Sequence, residues 1–431
     1  MKNLALNSTL LLNLISIMKT QNKTILFIMT SAIILFIGST AYSPSERATT
    51  WTNQELALIQ SLRLPRQWEI SDPSNTYLHN PEAAKLGELL FLDTQLSRSK
   101  QIACSSCHQP DYYFTLAPDS EITLDKQVPS LLGGASFNWY MLDGSADSLW
   151  AQALKPLENH LEHGGTRTQY VQYVLNRYPQ LYQAIFGYFP TQLTSSDLPA
   201  QASPISQSAG EQQSWQKLGT RTQTEINRVY ANIGKSLAAY QATLWPQEAR
   251  FDRYIDQISA PSGAAEKAIL NANEIAGLKL FISEKAQCLR CHNGPLLTNG
   301  DFHVTVVPEP HSAAQQGRLA GIESALADPF NCLSLYSDSE PTQCKELLYS
   351  KRGVGELEGA TKVPSLRNIA ATAPYMHAGQ FSTLNEVLNY YNRAATPFGR
   401  HNDLNALKLL PYQIKQLEAF LLALTENSTD E

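Results

Sequence analysis

Basic residues never form a run in this chain, and 33 Lys and Arg stand against 39 Asp and Glu, a formal net charge of −6. That balance gives no footing for nucleic-acid binding, which rests on clustered positive charge. Long apolar runs are also missing. The stretch from Thr24 to Gly38 is marginal against the about 20 apolar residues of a spanning helix. Cysteine is scarce, six in 431 residues. None lies near the small residues Gly38 to Ala41, which argues against a lipid-modified cysteine there. The second half of the chain holds few strand signals.

What the N-terminus does hold is Lys19 and Lys23, then the apolar stretch, then Gly38-Ser-Thr-Ala41. This order reads as a Sec signal peptide over residues 1–41 or, left uncleaved, as a membrane anchor. Met18-Lys19 makes a more conventional start than Met1. Export puts the chain in the periplasm. Cys332 and Cys344 sit in a polar segment and would pair in such an oxidising compartment, the alternative being two unpaired surface thiols.

The other four cysteines fall in two copies of one pattern, Cys104-Ser-Ser-Cys107-His108 and Cys288-Leu-Arg-Cys291-His292. Cys-x-x-Cys-His attaches haem c: two thiols form thioethers to the porphyrin vinyls, and the adjacent His binds the iron. A four-cysteine zinc site would bring its pairs within about 15–20 residues; here a whole domain separates them. Two covalent haems c are therefore expected, with Cys104, Cys107, Cys288 and Cys291 as attachment points and His108 and His292 as iron ligands.

A weak repeat precedes the two motifs. Leu86-Gly-Glu-Leu-Leu-Phe91 and Ala276-Gly-Leu-Lys-Leu-Phe281 share a Gly, an apolar pair and a Phe at helical spacing. The expected fold is mainly α: two cytochrome-c-like haem domains with long loops, over residues 48–255 and 256–431. Glu225 to Tyr240 reads as a helix closing the first. Thr191 to Gln216, rich in Ser, Gln, Ala and Pro, reads as a flexible surface loop. Thr383 to Asn392 and Pro411 to Thr425 read as the last helices.

Beyond about residue 80 the chain resembles the bacterial di-haem cytochrome c peroxidases, including their MauG-like branch. The matching stretches in the first half are Gly87 to Ser97, Pro129-Ser-Leu131 and Ser148 to Asn159. Those in the second are Cys288 to Pro295, Lys362-Val-Pro-Ser-Leu-Arg-Asn-Ile369 and Thr372-Ala-Pro-Tyr-Met-His-Ala-Gly379. The resemblance implies that the N-terminal haem meets hydrogen peroxide and the C-terminal haem relays electrons. It assigns Glu162 as the distal acid–base group, with Gln152 and Pro156 as its companions over the same haem. Read without the family, Glu162 is an ordinary loop carboxylate.

Members of the family that need prior half-reduction supply a distal His to the N-terminal iron shortly after the motif. Here no His occurs from Gln109 to Asn159, so the iron of His108 is expected to be five-coordinate or to carry water; His160 and His163 are the competing ligands. At the second iron the resemblance places Tyr391, as in MauG-like proteins, with Met376 as the alternative and Tyr390 one residue out of register. A phenolate ligand would lower that haem's potential. The family also places a Trp between its haems; here Leu142 takes that place and Ser145 replaces a nearby Arg, which leaves Trp139 or Trp150 as substitutes. A calcium ion is implied between the haems, with Thr372 and Pro374 as carbonyl donors and Gln127 at an Asn position.

The leading expectation is a periplasmic peroxidase consuming hydrogen peroxide. It would draw electrons from a small cytochrome c or cupredoxin, or oxidise a protein substrate over a distance as MauG does. The alternative is a non-catalytic di-haem electron carrier. The open His108 side and Glu162 argue against it, since a carrier benefits from two fully ligated irons.

Overall fold

The computed structural model describes residues 51–122, 127–194, 196–260, 269–307, 317–350, 357–394 and 401–426. The expected leader, residues 1–41, lies outside them. In chain order the helices are α1 (Asn53–Ser61), α2 (Pro81–Leu92), the single turn α3 (Cys104–Cys107), α4 (Leu149–Glu158), α5 (Arg167–Arg177), α6 (Pro179–Phe186) and α7 (Ala209–Lys217). They continue with α8 (Thr220–Gln241), α9 (Arg250–Ser259), α10 (Ala272–Phe281), α11 (Gly317–Ala327), α12 (Lys345–Leu348), α13 (Leu384–Arg393) and α14 (Pro411–Leu422). Sheet is limited, among the described residues, to β1 (Phe302–His303) paired antiparallel with β2 (Thr361–Lys362). The fold is mainly α, as expected.

The sequence repeat has a structural cause. α2 starts where Asn80 Oδ1 accepts from the N–H groups of Glu82 and Ala83, with Pro81 at a position whose N–H is not needed. α10 starts the same way on Asn271, and Glu274 bonds back to the Asn271 N–H at 2.7 Å. Each helix then crosses a partner backbone at its glycine. A Cβ on Gly87 would stand 2.0 Å from Ser236 O in α8, and one on Gly277 would stand 1.9 Å from Gln416 O in α14. One turn on, Phe91 meets Tyr240 at 5.1 Å between ring centroids, and Phe281 meets Phe420 at 5.2 Å. The two crossings are the same motif, built twice.

Around the first crossing α4, α5 and α8 bury Trp150, Leu154, Tyr170, Val174, Tyr230, Ile233 and Leu237. Each such side chain is worth about 1.5–3 kcal/mol when fully removed from water. α9 turns instead toward the second crossing: Phe251 packs on Phe420 at 5.2 Å, and Asp252 forms a buried pair with Arg367 at 2.6 Å. Asp252 also accepts from Leu64 N, and Arg367 donates to Leu62 O, so the segment after α1 is tied to the same knot. The expected boundary at 255/256 falls inside α9.

One expectation is corrected. The segment 191–216 is not a flexible loop. Leu193, Leu198, Ala202, Ser203 and Trp215 in it are buried, and Ala209–Lys217 is helical. The polar composition concealed anchors at wide spacing, and Trp215 lies under the Arg167 guanidinium at 5.5 Å. Cys332 and Cys344 form a disulfide.

Candidate haem centres

The first motif folds as one helical turn. Cys104, Cys107 and His108 stand at i, i+3 and i+4, on one face. His108 N donates to Cys104 O at 2.9 Å. The ring is held from behind: Nδ1 lies 3.1 Å from Phe114 O, which makes it the donor and leaves Nε2 as the ligating atom. Burial holds this imidazole below its ordinary pKa and so neutral, the form that binds a metal. The second motif repeats the design. His292 N donates to Cys288 O at 2.8 Å, His292 Nδ1 lies 3.0 Å from Leu297 O, and burial brings its pKa down to about 4. Burial likewise pushes the Cys104 and Cys288 thiols up to about 12. Free, half-buried thiols beside a back-anchored neutral imidazole fit a covalently attached haem at each motif.

α4 begins at Ser148, whose Oγ accepts from Ala151 N, and carries Gln152 and Pro156. The chain turns back at Asn159–Gly165, where Pro156 O accepts from His163 N. Gly164 has φ +63, and a Cβ on Gly165 would meet Tyr170 Oη at 2.3 Å. This turn brings Glu162 close enough that its charge adds to the raised pKa of both Cys104 and Cys107. Asn159 Nδ2 donates to Glu162 Oε1 at 2.6 Å.

Of the competing ligands, His160 is exposed and contacts Gln207 at 2.9 Å. His163 is buried, with Nε2 3.7 Å from Cys104 Sγ. A haem attached through Cys104 would have this ring beside its point of attachment. The burial of His163 was not foreseeable from a His-rich loop.

At the second centre α13 is capped by Thr383 and Glu386. It presents two tyrosines in different directions. Tyr390 Oη is engaged by the carbonyls of Thr305 and Val306, at 2.7 Å each. Tyr391 is the one whose phenol is raised by burial and by proximity to Cys291 and Cys288. A cation such as a ferric iron would favour its phenolate against that burial. Met376 lies in the turn of the Tyr375–Phe381 bridge with φ +68.

Gln127 and Thr372 do come together, but through the donor end of the amide: Gln127 Nε2 donates to Thr372 O at 2.8 Å. Among the described residues no cluster of three His, Cys, Asp or Glu suits a metal ion. The amide and one carbonyl expected to hold calcium thus meet each other, and no role is derived through the ion. The Ala373–Pro374 peptide is cis.

Leu142 is exposed, and its carbonyl accepts from Lys362 N. Neither tryptophan expected to replace the relay is well suited to it. The Arg318 guanidinium lies 3.7 Å above Trp139, and the Lys235 ammonium 5.6 Å from Trp150. Lys362, not singled out from sequence, is half-buried with its ammonium 3.6 Å from the centre of the Phe137 ring, and desolvation brings its pKa down to about 7. Among the described residues no carboxylate pairs with it. The residue after it is tied to the loop following His292, where Thr298 Oγ1 donates to Val363 O at 2.8 Å.

These two centres, built alike and faced differently, define a di-haem c protein. The family model for di-haem cytochrome c peroxidases matches residues 81–259. The cytochrome-c peroxidase IdrP2 of Denitromonas iodatirespirans is 28% identical over 354 residues, 80% of this chain and 82% of that protein. The methylamine utilization protein MauG of Methylorubrum extorquens is 25% identical over 399 residues, 90% of each. Among solved structures, the diheme peroxidase BthA of Burkholderia thailandensis matches with a TM-score of 0.55 at 18% identity, covering 85% of this chain and 92% of that one. A MauG-like protein associated with microbial copper homeostasis matches with a TM-score of 0.54 at 21% identity, covering 84% and 95%. Residues 81–259 carry the match to that family model, and over most of its length the chain is similar to di-haem cytochrome c peroxidases and MauG proteins, which are peroxidase-type oxidoreductases.

Proposed function

We propose that this protein is an exported peroxidase that reduces hydrogen peroxide at the centre of Cys104, Cys107 and His108. Electrons reach it by way of the centre of Cys288, Cys291 and His292. The supporting observation is the asymmetry between the two: a carboxylate, Glu162, stands by the first pair of thiols, and a half-buried phenol, Tyr391, by the second. A bound haem c with an open position supplies peroxide binding and electrons for O–O cleavage. Proton movement is the work of the chain. Glu162 takes a proton from one peroxide oxygen and returns it to the departing one. Asn159 Nδ2 orients the carboxylate, and Gln152 and Pro156 shape the same side. Each hydrogen peroxide takes up two electrons and two protons and leaves as two waters.

Those electrons come from a small cytochrome c or cupredoxin, or from a protein substrate oxidised as by a MauG-like enzyme. The Cys332–Cys344 disulfide supports periplasmic residence, with residues 1–41 as the export signal. Two haem domains, over 48–255 and 256–431, remain our division of labour.

The test is hydrogen peroxide added to the fully ferric protein without reductant, followed by optical and EPR spectroscopy. Rapid loss of a high-spin ferric signal, slowed by about 10²–10⁴ in Glu162→Gln, is expected. Reaction only after one haem is reduced would put His160 or His163 on the iron. No reaction in either state would leave an electron carrier.

A further inference from the structure

We propose that the stacked indoles of Trp68 and Trp245 are this protein's redox port, passing single electrons between a donor at the surface and the junction of the two haem centres. The proposal extends the peroxidase reading and rests on it for the oxidant.

Position is the first argument. Phe114 O, which holds His108 Nδ1, also accepts from Leu131 N at 3.3 Å. Two residues on, Gly133 N donates to Leu244 O at 2.9 Å, and the next residue is Trp245. From the other centre, Leu297 O holds His292 Nδ1, and the Leu296 side chain reaches within 2.9 Å of the Cβ position of Gly133. The anchors behind both proximal histidines thus converge on the segment 131–133, and Trp245 hangs from it. Trp68 stacks on Trp245 with ring centroids 5.4 Å apart and planes 21° from parallel, and is 40% exposed. The pair spans from this node to solvent.

Electrostatics is the second. An indole that gives up an electron becomes a cation radical, which a neighbouring positive charge disfavours. Trp139, Trp150 and Trp215 each carry a cation over the ring, from Arg318, Lys235 and Arg167. Among the described residues no cation lies over Trp68 or Trp245. Two stacked rings also share the charge. The Trp245 Nε1–H is buried with no acceptor among the described residues. Without a base the cation keeps its proton, so the electron can return reversibly. For each peroxide the pair is oxidised twice, losing one electron toward the haems and regaining one from the donor each time.

The decisive measurement is flash photolysis on the holoprotein with both haems ferrous. Tris(bipyridine)ruthenium(III), generated by light and a viologen quencher, takes one electron, and haem oxidation is followed by loss of the ferrous α-band. A fast phase is expected in the natural protein, slowed at least tenfold in Trp68→Ala and in Trp245→Phe but unchanged in Trp215→Phe. In the ferric protein the same flash should give an indole radical by EPR that Trp245→Phe diminishes. Trp68 is on the surface, so its variant carries the test if Trp245→Phe folds poorly. Equal rates in all four proteins would overturn the port. A parallel assay with peroxide and ferrocyanide separates the two readings: a peroxide-inert protein with a pair-dependent flash phase keeps the port and loses the peroxidase.

Discussion

Tyr391 has its phenol raised by burial and by the nearness of Cys291, while its neighbour Tyr390 faces away and donates to Thr305 O and Val306 O at 2.7 Å. Adjacent positions on a helix diverge by about 100°, so only one of the two can face a given site. Register alone separates a candidate iron ligand from a structural hydrogen bond.

Tyr391→Met should therefore change the ferric spectrum of one haem and raise its reduction potential. Tyr390→Phe should leave the spectrum alone and cost about 1–3 kcal/mol of stability, because two carbonyls lose their donor. Redox titration and denaturant melts of the two variants check this. A spectral change in the Tyr390 variant would reverse the assignment.

His163 predicts a pH dependence. Burial brings its pKa down to about 4 from 6.5, so the native state holds it neutral while the unfolded chain protonates it below 6.5. Unfolded protein then binds more protons across that window, and native stability falls by up to about 3 kcal/mol as pH drops through it. Denaturation of His163→Gln at a series of pH values should show a flatter profile than the natural protein over that range.

Gly87→Ala and Gly277→Ala should each be costly, since the new methyl would meet a backbone carbonyl 2.0 or 1.9 Å away. Helix separation at these crossings should cost about 1–3 kcal/mol or more. Thermal midpoints and bound haem per chain are the quantities to follow. An unperturbed Gly277→Ala protein would show that the second crossing is looser than it looks.

The hydrogen bond from Gln127 to Thr372 predicts indifference to chelators. EDTA should leave spectrum and thermal midpoint unchanged, while Gln127→Ala should lower stability by about 0.5–1.5 kcal/mol. A midpoint that falls with EDTA and recovers with calcium would restore the cation.

Local patterns carried much of this site into the sequence. Cys-x-x-Cys-His is legible because i, i+3 and i+4 share a face, and the Gly87 and Gly277 repeats because each helix has only one place where a carbonyl can pass. Tyr391 followed from resemblance and a count along one helix. What stayed hidden was non-local. Nothing in the composition of 191–216 announced that Trp215 sits under Arg167, and no spacing rule joins Trp68 to Trp245. Lys362 looked like part of a motif; that it stands over Phe137 depends on a strand pairing too short to recognise.

The twin crossings also bear on how the chain reaches this state. Gly87 to Ser236 and Gly277 to Gln416 close loops of roughly 150 and 140 residues, for which each doubling of length adds only about 0.6 kcal/mol. Added length, such as the disulfide-closed segment Cys332–Cys344, is thermodynamically cheap in loops of that size. Speed is another matter. Contacts so distant in sequence form late, so folding should be slow, with the unattached thiols waiting on two long-range encounters.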